Sequence, residues 1–179
     1  MQKDFVILTN DPSITAWGWA VVTVSGKIIG TGCIKTCPDN SKKNLRKSDD
    51  RIRRVSEINK ELLALIDKHT VQYILSEAPH GSQSAVAAVM IGMVAGMVQT
   101  ISDCTGIPVE YYAEGEVKKC ILNKRSAVKD EMIQAMKQSG FVPTGIKFRD
   151  EAVADALAVF HTALQKSEAI RLMKKVALL

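Results

Sequence analysis

Two apolar runs that each end in an acidic residue and a proline constrain this chain more than any other feature. Phe5–Leu8 leads to Asp11-Pro12, and Val71–Leu75 leads to Glu77-Ala78-Pro79. Short apolar runs bounded by proline are typical of buried β-strands, because proline cannot continue the ladder of backbone hydrogen bonds. The sequence therefore predicts two strands whose ends each present a carboxylate.

The remaining periodicities place these two strands in a single α/β domain. Three strands come first, the second and third joined at Ser25-Gly26, and helices then alternate with the last two strands. The predicted strands are residues 4–10, 16–24, 27–36, 71–77 and 109–112, and the predicted helices are residues 49–68, 82–102, 115–122, 127–139 and 150–165. We expect a mixed five-stranded sheet with helices on both faces. Residues 1–166 form this domain, and residues 167–179 form a basic and apolar tail, either helical or frayed.

A third acidic element is the alanine-rich helix near the C-terminus. Glu151 and Asp155 are four residues apart, which places both carboxylates on one helix face. Carboxylate oxygens suit Mg²⁺, and two such ions about 3.5–4 Å apart can catalyse phosphodiester hydrolysis. We predict that Asp11 bridges two ions, that Glu77 holds one, and that the helical pair holds the other. Asp150 is the competing candidate, and we assign it the role of helix N-cap because it points away from that face.

The distribution of charge indicates an acidic partner. The chain has a formal net charge of +5 and a pI near 9.0, and its basic residues cluster in two runs. For either run alone, a solvated surface is the alternative interpretation. The basic residues that we predict to contact nucleic acid are Lys42, Lys43, Arg46, Lys47, Lys124 and Arg125.

The cysteines and the apolar segments bear on the cellular compartment. The four cysteines lack the spacing of a zinc site, and we expect reduced thiols in the cytoplasm of a bacterium or of a host cell. The first residues lack the pattern of a signal peptide. The longest apolar stretch, residues 85–98, is shorter than the roughly 20 residues that span a bilayer, so we expect no membrane segment.

The segment 82–102 is apolar almost all round, so most of its surface must be covered. Gly92 and Gly96 have the GxxxG spacing that allows another helix backbone to approach closely. The covering surface is either the sheet of the same chain or a second subunit. We expect a homodimer through this helix.

Four motifs, in this order, resemble the RuvC family of Holliday junction resolvases, which have a ribonuclease H-like fold. The motifs are residues 7–20 (ILTNDPSITAWGWA), 32–36 (GCIKT), 74–77 (ILSE) and 154–158 (ADALA). The resemblance extends from about Phe5 to His161. The ordered set is specific, whereas any one motif alone would not be.

The resemblance implies a Mg²⁺-dependent endonuclease, in which Mn²⁺ can substitute, acting as a homodimer on four-way or other branched DNA and nicking two strands of like polarity. It also implies lysines near the scissile phosphate, matched here by Lys118 and Lys129, whose charge would stabilise the transition state. The aromatic residue with which the family unstacks bases is matched in register by His80, which stacks less strongly.

The chain departs from the family pattern near its acidic residues. Ser13 replaces a glycine, Asn10 replaces an apolar residue, and the first acid of the helical pair is Glu151 where the family has it one residue later. Such divergence resembles bacteriophage-encoded members. It leaves a second hypothesis open, a branched-DNA-binding protein of the same fold with weakened or no nuclease activity. A third hypothesis, a phosphotransferase of the actin and sugar-kinase type, lacks a second glycine-rich phosphate loop here.

Overall fold

The chain forms a mixed five-stranded sheet, in agreement with the predicted fold class. The computed structural model describes residues 4–39, 45–78, 80–126 and 128–177. The strands are β1 (Val6–Asp11), β2 (Ala16–Thr23), β3 (Ile28–Lys35), β4 (Tyr73–Ala78) and β5 (Val109–Ala113). Their order across the sheet is β3-β2-β1-β4-β5. The first three strands are antiparallel, whereas β4 is parallel to both β1 and β5.

Helices cover both faces of this sheet. They are α1 (Lys47–His69), α2 (Ala85–Thr105), α3 (Glu114–Leu122), α4 (Lys129–Gln138), α5 (Lys147–Lys166) and α6 (Glu168–Ala177). The first two pack on one face, in an apolar cluster that includes Ile58 and Val98. The other four pack on the opposite face, where the cluster includes Leu157 and Ile170. Helix α5 is the central element of that face, because it contacts β1, β2, β3 and β4.

The alternation of side chains along β1 directs Asp11 toward the face that α5 covers. Ile7 belongs to the apolar cluster under α5, and the Thr9 hydroxyl donates to the Ala156 carbonyl oxygen of α5 at 2.6 Å. Leu8 belongs to the cluster under α1 and α2. Since side chains two residues apart lie on one face of a strand, Asp11 follows Ile7 and Thr9 toward α5.

A glycine lets α5 approach the sheet beside Asp11. Gly18 pairs with Asp11 across β1 and β2. A Cβ atom at Gly18 would lie 2.0 Å from the carbonyl oxygen of Ala152, so no larger residue fits without a shift of backbone. The close contact between β2 and α5 therefore determines how near α5 lies to the end of β1.

The assignment of Asp150 as a helix N-cap was wrong. Helix α5 begins at Lys147, and Ile146 is its N-cap. Asp150 lies within the first turn and accepts hydrogen bonds from the backbone N–H groups of Thr144 and Gly145, each at 2.8 Å. Although burial opposes ionisation, these bonds hold the pKa of Asp150 below its usual value. Its carboxylate stabilises the preceding loop.

Two other segments differ from expectation or resolve an open choice. The C-terminal segment is helical, and Ile170 of α6 is fully buried against the core. The apolar segment extends beyond residue 98, because α2 contains an 18-residue window with a mean hydropathy of 1.8. By length and composition alone α2 could cross a membrane. Its buried residues, among them Val94 and Ile101, pack in the same cluster as α1.

Candidate active site

Carboxylates from two strands and one helix converge at one edge of the sheet. Asp11 is the last residue of β1, Glu77 is the next to last residue of β4, and Asp155 lies on α5. The three line a cleft of about 320 Å³. Because β1 and β4 are parallel, their C-terminal ends lie at the same edge, which α5 crosses. The structure therefore brings these three predicted residues together.

Two lysines that the family resemblance predicts near the scissile phosphate, Lys118 and Lys129, line the same cleft. Lys129, the first residue of α4, donates to Asp155 Oδ2 at 3.1 Å. Lys118 of α3 donates to Glu114 Oε1 at 2.5 Å. Each ammonium group is thus held beside a carboxylate. Their action on a scissile phosphate stays a prediction.

Glu151 lies at the margin of the cleft. It shares a face of α5 with Asp155, as the four-residue spacing predicts, and both carboxylates approach Lys129. The Glu151 Oε2 atom is 4.0 Å from Lys129 Nζ, and its Oε1 atom is 3.9 Å from Nζ of the exposed Lys147. Among the described residues, the lining of the cleft includes Asp155 and not Glu151.

The sequence interpretation missed Glu114. This residue begins α3 directly after β5 and lines the cleft together with Glu77 and His80. One potential ligand atom from each of these three residues lies within 4.8 Å of the others. The signal was present in the sequence, because an acid directly after a strand is the criterion that identified Asp11.

Burial and mutual repulsion raise the pKa values of the cleft carboxyls. Burial is the main cause that raises the pKa of Asp11 to about 7, and the charge of Asp155 adds to it. Burial, followed by the charges of Asp11 and Asp155, raises the pKa of Glu77 to about 8. Burial also raises the pKa of Asp155, although Lys129 opposes that shift. Crowded carboxyls of this kind fit a divalent cation, which supplies the missing positive charge.

The loop that follows Asp11 is held in place from two sides. The Ser13 hydroxyl oxygen accepts a hydrogen bond from the backbone N–H of Thr15 at 3.3 Å. Arg54 of α1 is buried and donates to the Ile14 carbonyl oxygen at 3.1 Å. Serine in place of glycine is therefore compatible with this turn. Arg54 ends the basic run at residues 35–54, and its side chain belongs to the interior of the protein.

Asn10, which also departs from the family pattern beside Asp11, directs its side chain to the opposite face of the sheet. Its side-chain oxygen accepts from Trp17 Nε1 at 3.0 Å, and its side-chain nitrogen donates to the Leu75 carbonyl oxygen at 3.3 Å. Both polar ends of this buried amide are thus satisfied. The substitution leaves the direction of Asp11 unchanged.

The described basic residues that we predict to contact DNA lie in two places, at the N-terminus of α1 and in the connection between α3 and α4. Arg46 is the exposed N-cap of α1, and Lys47 is its first residue. Lys124 and Arg125 are exposed in the connection between α3 and α4, where Lys124 pairs with Glu131. The remaining two, Lys42 and Lys43, lie outside the described residues. None of the four described residues lines the cleft.

Known proteins resemble this chain over most of its length. A family profile described as crossover junction endodeoxyribonuclease RuvC matches residues 7–162. A protein of that name from Shewanella frigidimarina is 26% identical over 164 residues, covering 88% of this chain and 87% of the relative. Another, from Parvibaculum lavamentivorans, is 28% identical over 159 residues, covering 89% and 86%. A solved structure of T. thermophilus RuvC in complex with Holliday junction substrate has a TM-score of 0.70 at 23% identity, covering 96% of this chain and 97% of that one.

The family match extends over the whole sheet and over the helix that carries Asp155. It begins in β1 and ends in α5, so it includes all five strands and the elements that carry Asp11, Glu77 and Asp155. A match over the whole sheet is a match of a domain, and a short motif would not produce it. The chain therefore belongs to the RuvC family of crossover junction endodeoxyribonucleases.

Proposed function

We propose that this protein is a structure-selective, divalent-metal-dependent endodeoxyribonuclease that resolves Holliday junctions and cuts other branched DNA. The observation that carries the proposal is the convergence of Asp11, Glu77 and Asp155 with two lysines in one cleft. This arrangement occurs in a chain whose named relatives are crossover junction endodeoxyribonucleases. Three crowded carboxyls are costly to bury, and a purely structural role would not offset that cost.

The cleft residues suit a pair of divalent cations, for which we propose Mg²⁺, with Mn²⁺ as a substitute. We assign Asp11 the position between the two cations, because the charge of Asp155 raises its pKa and its own charge raises the pKa of Glu77. Glu151 lies at the margin, 4.0 Å from Lys129 and outside the cleft lining. When bound, such ions activate a water molecule and stabilise the leaving 3′-oxygen. The carboxyls must lose their protons to act as ligands.

The two lysines add positive charge to the cleft wall, in addition to that of the cations. Lys129 is held by Asp155 and Lys118 by Glu114, so each ammonium group has a fixed position at the cleft wall. A phosphate that enters the cleft would meet both groups. Fixed positive charge of this kind favours a phosphate whose charge increases in the transition state.

We also propose that the protein acts as a homodimer through α2, since paired nicking of a four-way junction requires two active sites. In support, Val86 and Val89 are 53% and 50% exposed. A Cβ atom added at Gly92 or Gly96 would meet no neighbouring atom of the described chain within 4 Å. Within the part of the chain that the structure describes, Gly92 and Gly96 thus pack against no other element, which leaves this face available to a second copy.

The C-terminal segment and the cysteines complete the proposed organisation. We assign residues 1–166 to the nuclease domain and residues 167–179 to an accessory segment that packs on it through Ile170. The four cysteines have free thiols, which suits a reducing compartment. We place the protein in the cytoplasm, together with its DNA.

The test is a metal titration with labelled four-way, three-way and linear DNA. We expect the protein to nick the four-way substrate in two strands when Mg²⁺ or Mn²⁺ is added. Asp11→Asn should bind the junction and fail to cut it, because the central ligand is lost. Asp67→Asn, which makes the same chemical change on the exposed surface of α1, is the control and should cut normally.

Two results would contradict this proposal. Unchanged cleavage by Asp11→Asn would refute the metal assignment. Junction binding without nicking, at any metal concentration, would identify a branched-DNA-binding protein of the same fold instead.

A further inference from the structure

The edge of the sheet presents a fourth carboxylate that the sequence-based scheme leaves unused. Strand β5 runs parallel to β4, with Tyr112 beside Glu77 and Ala113 beside Ala78. Glu114 follows Ala113 directly and begins α3. The strand register therefore brings Glu114 to Glu77 from a separate element.

We propose that Glu77, Glu114 and His80 form one of the two cation subsites in this cleft, the one to which the sequence assigned Glu77, with Glu151 outside both subsites. The inference rests on the proposed metal-dependent nuclease and specifies which residues hold one of its cations. One ligand atom from each residue lies within 4.8 Å of the others. Ligands on opposite sides of one ion, each at about 2.1–2.4 Å, are about 4–5 Å apart, so a single ion can contact all three.

The two oxygens of Glu114 have different surroundings. Oε1 accepts the hydrogen bond from Lys118 at 2.5 Å. Oε2 lies 3.8 Å from Nδ1 of His80. An ionised carboxylate accepts on both oxygens. A cation bound between Oε2 and the imidazole therefore leaves the contact with Lys118 intact.

Helix α5 places one carboxylate, that of Asp155, in the cleft lining. Glu151 faces Lys129 and Lys147 at the margin of the cleft, at 4.0 and 3.9 Å. Ala152, one residue later, is 4% exposed, lies against Gly18 and carries no ligand atom. Helix α5 thus contributes Asp155 to the cleft lining, and the junction of β5 and α3 contributes Glu114.

A nitrogen ligand changes which metal this subsite prefers. Mg²⁺ binds oxygen ligands in preference to nitrogen, whereas imidazole suits first-row transition metals. His80 is 70% exposed in its side chain and next to Glu114, so its ring is free to turn toward an ion. The subsite should therefore bind Co²⁺ and Mn²⁺ more tightly than Mg²⁺. His80 then acts as a ligand, in place of the base stacking that its register indicates.

Electron paramagnetic resonance of Mn²⁺, added to the full-length metal-free protein without DNA, tests the carboxylate assignment. We expect the wild-type protein to bind about two ions. Glu114→Gln should bind about one ion, or bind the second at least about tenfold more weakly, because one ligand is lost. Glu151→Gln should bind as the wild type does. Glu116→Gln is the matched control on the same helix, since Glu116 pairs with Lys166 outside the cleft.

The outcomes separate this inference from the proposed function. Loss of an ion in Glu151→Gln, with wild-type binding in Glu114→Gln, overturns the subsite even if the protein cuts junctions. Binding as predicted, in a protein that cuts no DNA, supports the subsite and refutes the nuclease. Thermal denaturation of each variant shows that it is folded, and Glu114→Asp, which keeps the charge on a shorter side chain, should also weaken the second ion.

Titration calorimetry with Co²⁺ and Mg²⁺ tests the role of His80. We expect His80→Ala to weaken Co²⁺ about tenfold and to change Mg²⁺ less than about twofold. Equal affinities of wild type and His80→Ala for Co²⁺, with weaker junction binding by the variant, would assign His80 to the DNA and overturn its place in the subsite.

Discussion

The carboxyls of Asp11 and Glu77 keep their protons at a pH at which ordinary carboxyls have lost them. Burial, together with the charges of neighbouring carboxylates, raises their pKa values from 3.8 to about 7 and from 4.5 to about 8. Between a pH of about 4 and about 8, these two groups therefore bind more protons in the folded protein than in the unfolded chain. The contribution of these two carboxyls to stability is therefore fully present below about pH 4 and is lost as the pH rises to about 8, because deprotonation favours the unfolded state.

We predict that the metal-free protein melts at a lower temperature at pH of about 8 than at about 5, and that Asp11→Asn reduces this difference. Asparagine removes the negative charge that the buried site disfavours. Each kcal/mol lost lowers the melting temperature by about 2–4 °C in a protein of this size. Thermal denaturation in EDTA, followed by circular dichroism across this pH range, measures the effect.

The control and the metal dependence make this prediction specific. Asp67→Asn should keep the wild-type dependence, because Asp67 is exposed on α1. Added Mg²⁺ should restore the melting temperature at the higher pH, since cations bind the ionised carboxylates. Identical pH profiles for wild type and Asp11→Asn would contradict the effect of burial on this carboxyl.

Local patterns identify some of the cleft residues and not others. Asp11 and Glu77 were predictable because each ends an apolar strand, and Asp155 because it lies on a helix of small residues. Glu114 reaches the cleft only through the register of β4 and β5, which depends on contacts between residues distant in sequence. Asp150 was misassigned because the loop before α5 supplies its hydrogen-bond donors, and the composition of that loop did not reveal where the helix begins.

At the level of elements, Gly18 controls the distance between β2 and α5. A Cβ atom there would lie 2.0 Å from the oxygen and 2.4 Å from the carbon of the Ala152 carbonyl. Backbone atoms cannot turn aside as a side chain can. We predict that Gly18→Ala lowers the free energy of unfolding by about 1–3 kcal/mol, because α5 must move away from the sheet. That movement displaces Asp155 and should reduce junction cleavage.

Denaturation with urea measures the stability change, and cleavage is compared at a temperature at which the variant is folded. Gly30→Ala is the matched control in β3, since its added Cβ would meet the Trp19 ring no closer than 3.7 Å. We expect that control to change stability by less than about 0.5–1 kcal/mol. Equal stability and equal cleavage of the two variants would show that the contact of Gly18 with Ala152 does not position Asp155.

The predicted elements differ from the observed ones mainly at their ends. Helix α2 was expected to end at residue 102, but it continues to Thr105, where Gly106 adopts a φ of 69° and its N–H donates to the Ser102 carbonyl oxygen. This cap was visible in the sequence as a glycine after the apolar run. The beginning of α5 was less visible, because no side chain caps it and Ile146 occupies the N-cap position.

At the scale of the whole molecule, the cleft and the exposed half of α2 lie near one another along the chain. Glu77 is in β4, and α2 begins at Ala85 after a short connection that contains His80. A second copy seated on the first turns of α2 would therefore lie close to the edge of the cleft. A junction bound across such a dimer would meet two clefts, which paired nicking requires.

We predict that Val89→Lys separates the dimer. Val89 is 50% exposed on the face of α2 that carries Gly92 and Gly96. Because half of Val89 is already covered in the single chain, loss of its interface burial costs about 0.75–1.5 kcal/mol in each subunit, and a two-fold interface incurs that cost twice. The dimer should therefore dissociate at least about tenfold more readily, since about 1.4 kcal/mol corresponds to a tenfold change.

Sedimentation velocity at micromolar concentration measures this dissociation. The control is Val142→Lys, which places the same charge at an apolar residue that is 81% exposed in the loop before α5 and should leave the dimer intact. Val89→Lys should keep its Mn²⁺ binding, because no residue of the cleft has changed, and should lose paired nicking of a four-way junction. A wild-type protein that sediments as a monomer, or a Val89→Lys variant that sediments as a dimer, would exclude α2 as the interface.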